Sequence, residues 1–309
     1  MSISHFRSAV VVLLVFIGSA ARAEFPTSQP FPGITYRLET QELPPMRKFI
    51  ATVDLTDPRV HIRVVPGGPD PDGPGRWQTT TMLPTAIAAR EDFDLVINGD
   101  FFQAKGVRDA EGSASPYVPD LWAVVLGPAV TDGKVWSALP ESSKNSRDCF
   151  IVHRDSAPPY QQRFAIESIK KLPSDAWQVV GGGPLVVKEG QLVPIQKLAR
   201  HPRTALGLDK EGQKLTILVV DGRRPGVSVG MTFAEIGQEM LRLGCWQALN
   251  IDGGGSSIMA MRDPQTKAYK ILNTPSDGRE RAVANVLGIH VDRRSNASQP
   301  ATSPSARPK

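Results

Sequence analysis

The chain has 309 residues, a net charge of +5 and 40% hydrophobic residues, enough for one large domain or two small ones. The positive charge belongs to the ends: Arg7 and Arg22, and the cationic excess of Asp292, Arg293, Arg294, Arg307 and Lys309. The body between them is near neutral, which removes the electrostatic case for a nucleic-acid partner.

Residues 1–23 read as a signal peptide, with Arg7 as the positive start, residues 9–18 as a short apolar run and Ala21-Arg-Ala23 as the cleavage signal. The apolar run is too short to span a bilayer. The expected product begins near Glu24, is exported to the periplasm or secreted, and makes no stable membrane insertion after signal removal. Cys149 and Cys245 leave two readings: a disulfide, suited to an oxidising compartment, or Cys245 beside Trp246 as a buried small hydrophobe. The sequence specifies no oligomeric state.

Residues 24–48 are proline-rich and read as an N-terminal arm with one strand, 34–38. Residues 49–55 and 60–65 read as strands around the turn Thr56-Asp-Pro-Arg59. The loop at 66–75 contains Asp70-Pro-Asp72-Gly73 but lacks EF-hand spacing. Residues 79–90 read as a helix containing Pro84, and 93–97 as a strand ending in Asn98-Gly-Asp100-Phe-Phe102. An acid hinged by glycine and backed by aromatics suits the mouth of a pocket, and the same pattern also serves as a turn with Phe101 and Phe102 in the core. Residues 103–120 form a long polar loop, a candidate lid.

Short strands are expected at 121–126, 134–137 and 149–153, with Asp132-Gly133 as a hairpin turn. Residues 177–180 lead into Gly181-Gly182-Gly183-Pro184, whose backbone can approach a ligand and offer N–H donors. His201-Pro-Arg203 then opens a strand that pairs with 215–220. A guanidinium entering an apolar strand demands an anionic partner, either a protein carboxylate or substrate.

The stretch 215–259 organises the chain. Thr232 and Glu235 form a capping box, and Phe233, Ile236, Met240, Leu241 and Leu243 follow near helical spacing. Residues 248–251 read as the next strand, ending in Asp252-Gly253-Gly254-Gly-Ser256-Ser257. Strand, helix, strand implies a parallel pair with a right-handed crossover, placing Asp221 and Asp252 at one carboxyl edge. Strands at 269–272 and 282–291 close the fold, and 293–309 is Pro/Ser-rich and reads as a disordered tail. The expected fold class is therefore α/β (α+β mixed): a single domain over 49–292 with mixed parallel and antiparallel sheets and flanking helices.

Asn98-Gly-x-Phe-Phe, Gly181-Gly-Gly-Pro, His201-Pro-Arg203-Thr-Ala, Asp221-Gly-Arg223, Asn250-x-Asp252-Gly-Gly-Gly-Ser-Ser257 and Arg279-x-Arg281-x-Val-x-Asn285 occur in this order. Together they make the chain resemble the phosphodiester glycosidase family, which includes the lysosomal uncovering enzyme, over residues 49–291. The chain departs at Asp100, where that family commonly has glycine. The resemblance implies hydrolysis of the bond between a sugar's anomeric carbon and a phosphodiester, of N-acetylglucosamine type, with a glycan or sugar phosphodiester from the envelope or an exopolysaccharide as partner.

That chemistry needs a clamp for phosphate, which Arg203, Arg279 and Arg281 can supply as planar donors. It also needs a carboxylate facing the developing oxocarbenium ion, for which Asp252 is the first choice and Asp221 or Asp100 the second carboxylate. Asn98, Ser256, Ser257 and the backbones of Gly181, Gly182, Gly183, Gly253 and Gly254 are candidates for holding sugar hydroxyls or phosphate oxygens. Three rivals remain: a non-catalytic envelope glycan-binding protein, a serine hydrolase lacking the Gly-x-Ser-x-Gly elbow, and a zinc site lacking paired histidines. No cofactor is expected, and a carboxylate-held divalent cation such as calcium stays open.

Overall fold

The computed structural model describes residues 27–107, 116–139, 145–158 and 161–293. The signal segment 1–23, the tail from 294 onward and the middle of the candidate lid, 108–115, lie outside the described residues. In chain order the strands are β1 (Thr27–Phe31), β2 (Ile34–Gln41), β3 (Met46–Asp54), β4 (Val60–Pro66) and β5 (Thr79–Thr80), followed by helix α1 (Pro84–Glu91). Then come β6 (Leu95–Asn98), β7 (Phe102–Ala104), β8 (Trp122–Val125), β9 (Ala129–Thr131), β10 (Lys134–Ser137), β11 (Arg147–Arg154) and β12 (Gln162–Ile169). β13 (Ala176–Gly182), β14 (Leu185–Lys188), β15 (Gln191–Leu192), β16 (Arg203–Leu208) and β17 (Lys214–Val220) precede helix α2 (Phe233–Arg242). β18 (Gln247–Asn250), β19 (Met259–Arg262), β20 (Tyr269–Ile271) and β21 (Asn285–Val291) follow.

Four sheets result, ordered β1-β2-β3-β17-β16-β18-β14-β15, β10-β9-β13-β11-β12, β20-β19-β6-β21-β4 and β5-β8-β7. One core receives side chains from three of them: Phe49, Leu206, Ile217 and Ile251 from the first, Phe150 and Val180 from the second, and Ile97, Met259 and Leu287 from the third. The reverse face of the first sheet is covered by α2, where Leu218, Val220 and Ala248 meet Ile236 and Met240. Gly207 makes that approach feasible, since a Cβ there would lie 2.5 Å from Cys245 Sγ and 2.6 Å from Met240 Cε. Helix α1 covers the reverse face of the third sheet through Ile87 and Ala88.

The expected fold class needs correction. Among the described residues the chain is predominantly β, every strand pairing is antiparallel, and there are two α-helices. β17 and β18 do run in the same direction, but β16 lies between them and is antiparallel to both. The misreading has a physical cause. These strands are covered on both faces, by the core and by α2, so they carry the near-continuous apolar runs usual in parallel sheets.

Local expectations also shift. The helix predicted over 79–90 is the short strand β5 followed by α1, with Pro84 at the first turn of α1, where a missing N–H costs nothing. Strands β3 and β4 belong to different sheets rather than to one hairpin. β1 and β2, from within residues 24–48, extend the edge of the first sheet. Helix α2 starts at Thr232 with both halves of its capping box formed. Cys149 and Cys245 are free and buried in separate clusters, so no disulfide joins them.

Candidate active site

The ends of six strands converge where the first and third sheets meet, five from those two sheets and one from the second. Register pairs Arg203 with Val220 on β17 and Ala205 with Asn250 on β18, so Asp221 and Asp252 leave the sheet on either side of the start of β16. Across the junction, β6 ends at Asn98 and pairs with β21, which begins at Asn285. The end of β13 brings in Gly181 and Gly182.

Asn98 is the clasp. Its Nδ2 donates to the Asp252 carbonyl oxygen at 2.7 Å, and its Oδ1 accepts from Thr204 Oγ1 at 2.8 Å and from the Ile258 amide at 3.2 Å. The amide is fully buried, so Asn98 holds the glycine turn in place.

Asp100 is seated between two strands. Its backbone N–H donates to Asn285 Oδ1 at 2.9 Å, while its carboxylate accepts from the Phe101 amide at 2.7 Å and the Gly127 amide at 2.6 Å. A Cβ on Gly127 would lie 2.6 Å from Asp100 Oδ2, and one on Gly181 would lie 2.5 Å away, so both positions need glycine. Burial pushes the Asp100 carboxyl up to about 7. The two amides oppose that rise and the Asp252 charge adds to it.

Asp252 keeps partial solvent access and accepts from the Gly253 amide at 2.8 Å. Burial raises its carboxyl to about 6, against the stabilising pull of Ser256, the Gly253 amide and the Arg281 cation. Ser256 sits beside this carboxylate short of full hydrogen-bond geometry. Asp221 is more enclosed: Oδ1 accepts from the Thr274 amide at 2.8 Å and from Asn273 Nδ2 at 3.4 Å, while Arg47 stands 3.9 Å from Oδ2. Burial raises its pKa as well. Since Asn273 also donates to the Ser257 carbonyl at 3.0 Å, Asp221 braces the loop behind the glycine turn.

The anion demanded by Arg203 is not a protein carboxylate. Its Nε donates to the Met231 carbonyl at 3.0 Å, one terminal nitrogen donates to the Ala199 carbonyl at 3.2 Å, and the guanidinium lies 4.1 Å from the centroid of Phe233. Burial and the neighbouring Arg223 lower its pKa to about 10. Arg223, whose φ is +59°, is exposed and lies over Gly254, where a Cβ would come 3.0 Å from its guanidinium. Neither arginine forms an ion pair among the described residues, so two cations face one glycine turn without a counter-charge.

The other arginines are placed differently. Arg279 is exposed and makes no ion pair or side-chain hydrogen bond among the described residues. Arg281 is bound to Asp277 at 2.8 Å, lies 4.4 Å from the Tyr117 ring centroid and crowds Gly255. Gly183 donates its amide to the Asn250 carbonyl at 2.7 Å, and the Gly254 amide donates to Pro202 at 2.9 Å, so these two N–H groups are used within the protein.

Among the described residues, buried side-chain atoms lacking a hydrogen-bond partner include Asp221 Oδ2, Asn250 Oδ1, Ser256 Oγ, Ser257 Oγ and Asn285 Nδ2. All five belong to this junction, and such atoms in a native interior ask for a partner. Sequence reasoning had not assigned roles to Gly127, Arg223, Asn250, Asn273 or Asn285. The asparagines carry a readable signal, a polar residue bordering an apolar strand; Gly127 carries none.

The fold and site define a protein of antiparallel sheets with three perturbed carboxyls and unpaired arginines at a sheet junction. The chain belongs to the phosphodiester glycosidase family, whose model matches residues 92–290. Over 90 residues it is 41% identical to the SPbeta prophage-derived uncharacterized protein YomE of Bacillus subtilis, a match covering 29% of this chain and 13% of that protein. Among solved structures, a hypothetical protein from Synechocystis superposes with a TM-score of 0.57 at 16% identity, covering 88% of this chain and 65% of that one. The catalytic domain of zebrafish N-acetylglucosamine-1-phosphodiester alpha-N-acetylglucosaminidase, auto-inhibited by its pro-peptide, superposes with a TM-score of 0.56 at 21% identity, covering 87% and 88%. No helix among the described residues is long and apolar enough to cross a membrane.

Proposed function

We propose that this chain is a hydrolase of sugar-1-phosphodiesters, of N-acetylglucosamine type, acting outside the cytoplasm on envelope or exopolysaccharide glycans. The observation that carries this reading is the neighbouring pair Asp100 and Asp252, raised to about 7 and about 6, beside the unpaired cations Arg203 and Arg223. Two carboxyls set apart by their surroundings divide the labour just below neutral pH: Asp252 is the one that ionises first, and Asp100 keeps its proton to higher pH.

Asp252 then faces the anomeric carbon and stabilises the developing positive charge. The C1–O bond breaks with its electron pair passing to the phosphate oxygen. A phosphate monoester has a second pKa of about 6, so it is a good leaving group whose departure one proton completes. Arg203 and Arg223 hold its charge, and Asp100 supplies the one proton it takes. Water adds its hydroxyl to C1 and gives its proton to Asp252, releasing free sugar and a phosphate monoester, and that proton then passes to Asp100, which restores both acids.

The test is hydrolysis of α-linked N-acetylglucosamine-1-phosphodiesters by the purified protein, with Asp252→Asn beside it. Release of free sugar by the wild type alone supports the reading. No release from any substrate, with saturable glycan binding by calorimetry, would favour a non-catalytic glycan-binding protein.

A further inference from the structure

A second recess opens between the loop at 66–75 and the hairpin of β9 and β10. Trp77 and Trp136, both half-buried, line it together with Asp70, Gln78, Asp132 and Lys134. The aromatic walls are held by protein contacts: Trp136 Nε1 donates to Thr131 Oγ1 at 3.0 Å, the Trp77 amide donates to Asp72 Oδ1 at 3.2 Å, and the exposed Arg76 guanidinium lies over the Trp77 ring, 4.9 Å from its centroid. The polar groups are fixed as well. Gln78 Oε1 accepts from the Val125 amide at 3.2 Å, and the Asp132 carboxylate is held by Gln178 at 2.7 Å and Arg63 at 2.7 Å.

Of its two acids Asp132 is paired with Arg63, while Asp70 accepts the amides of Asp72 and Gly73 and Lys134 adds a cation; the recess combines these with two indole faces. An indole face is negative and attracts the C–H bonds on one side of a sugar ring, while the polar rim serves hydroxyls. We propose that this recess is a second carbohydrate subsite, which holds a neutral sugar unit of the same glycan chain whose phosphodiester is cleaved.

Its position relative to Asp100 supports the link. Gln78 Nε2 donates to Ser137 Oγ at 3.1 Å, Ser137 Oγ donates to the Gly127 carbonyl at 2.8 Å, and the Gly127 amide donates to Asp100 Oδ2 at 2.6 Å. The same wall that faces the recess thus seats the acid. On the rim, Arg76 donates to Gln103 Oε1 at 3.1 Å, on the strand leaving the Asp100 turn. The link to cleavage rests on the hydrolase reading; the binding does not.

The test titrates the full-chain Asp252→Asn protein with chitotetraose and with maltotetraose, both neutral, followed by calorimetry and tryptophan fluorescence. Saturable binding of at least one, weakened about tenfold or more by Trp77→Ala and by Trp136→Phe in variants with unchanged far-UV circular dichroism, is the expected result. In the wild-type background both replacements should leave kcat/KM for a methyl-aglycone phosphodiester unchanged. Absence of saturable binding, or binding indifferent to both replacements, overturns the proposal. A failed hydrolase reading would show separately, as absence of sugar release with tetrasaccharide binding intact.

Discussion

The Asn98 side-chain amide donates to the carbonyl oxygen of Asp252 at 2.7 Å across 154 positions of sequence, so the strand end that leads to Asp100 also fixes the turn that carries Asp252. The two acids are positioned by one buried residue. Asn98→Ala would strand the Thr204 hydroxyl and the Ile258 amide and release the turn. Each buried group left unpaired costs about 1–3 kcal/mol, so a loss of about 2–4 kcal/mol in urea unfolding is expected, together with loss of turnover.

The pH profile of kcat/KM should be bell-shaped. Activity should rise as Asp252 ionises near about 6 and fall as Asp100 loses its proton near about 7. Asp100→Asn should remove the alkaline limb. A profile flat between pH 5 and 8 would break the acid–base assignment.

Stability should move in a definite direction with pH. Both carboxyls titrate above the about 3.9 of an unfolded aspartate, so the folded chain binds more protons than the unfolded chain between about pH 4 and pH 7. Their contribution to stability is present in full below about pH 4 and is lost as pH rises through the folded values. Urea midpoints measured from pH 5 to 8 should fall more steeply for the wild type than for Asp100→Asn.

The cation pair separates binding from folding. Arg203→Lys loses the fixed fork while keeping charge, and should reduce kcat/KM for phosphodiesters by about 10–100-fold. Arg223→Ala, on an exposed side chain, should raise KM and leave the melting temperature unchanged. Wild-type kinetics in both variants would remove the clamp.

Gly127 is a steric test of the acid's seat. In Gly127→Ala the new methyl would lie 2.6 Å from Asp100 Oδ2 and 2.9 Å from Gly181 Cα, forcing the carboxylate out of place. Overpacking of this kind costs about 1–3 kcal/mol. A lower melting temperature and an altered pH profile should appear together.

Much was legible in the sequence where the information is local. The capping box at Thr232 and Glu235, the helix it starts, the strand 215–220 and the acid turn after Asn250 are all set by neighbouring residues, and the structure has them where the pattern puts them. Strand β12 is hard to read because half of its residues face solvent at a sheet edge and only two are buried, and β19 because Met-Ala-Met-Arg is only four residues long, lacks β-branched residues and shows no polar alternation. Residues 79–90 misled because Pro84 suits a helix start better than a helix interior.

The sequence by itself determined the cap of α2, the strand 215–220 and the polar residues that end the apolar runs at Asn98, Asp221 and Asp252, since each rests on contacts a few positions apart. Only the tertiary structure decided that β16 enters between β17 and β18, that Asp100 is wedged against Gly127 and Gly181, and that Arg203 finds carbonyls instead of a carboxylate. Strand order, and with it the pairing of distant charges, depends on which buried faces meet. A strand covered on both sides is apolar on both sides, whatever the direction of its neighbour.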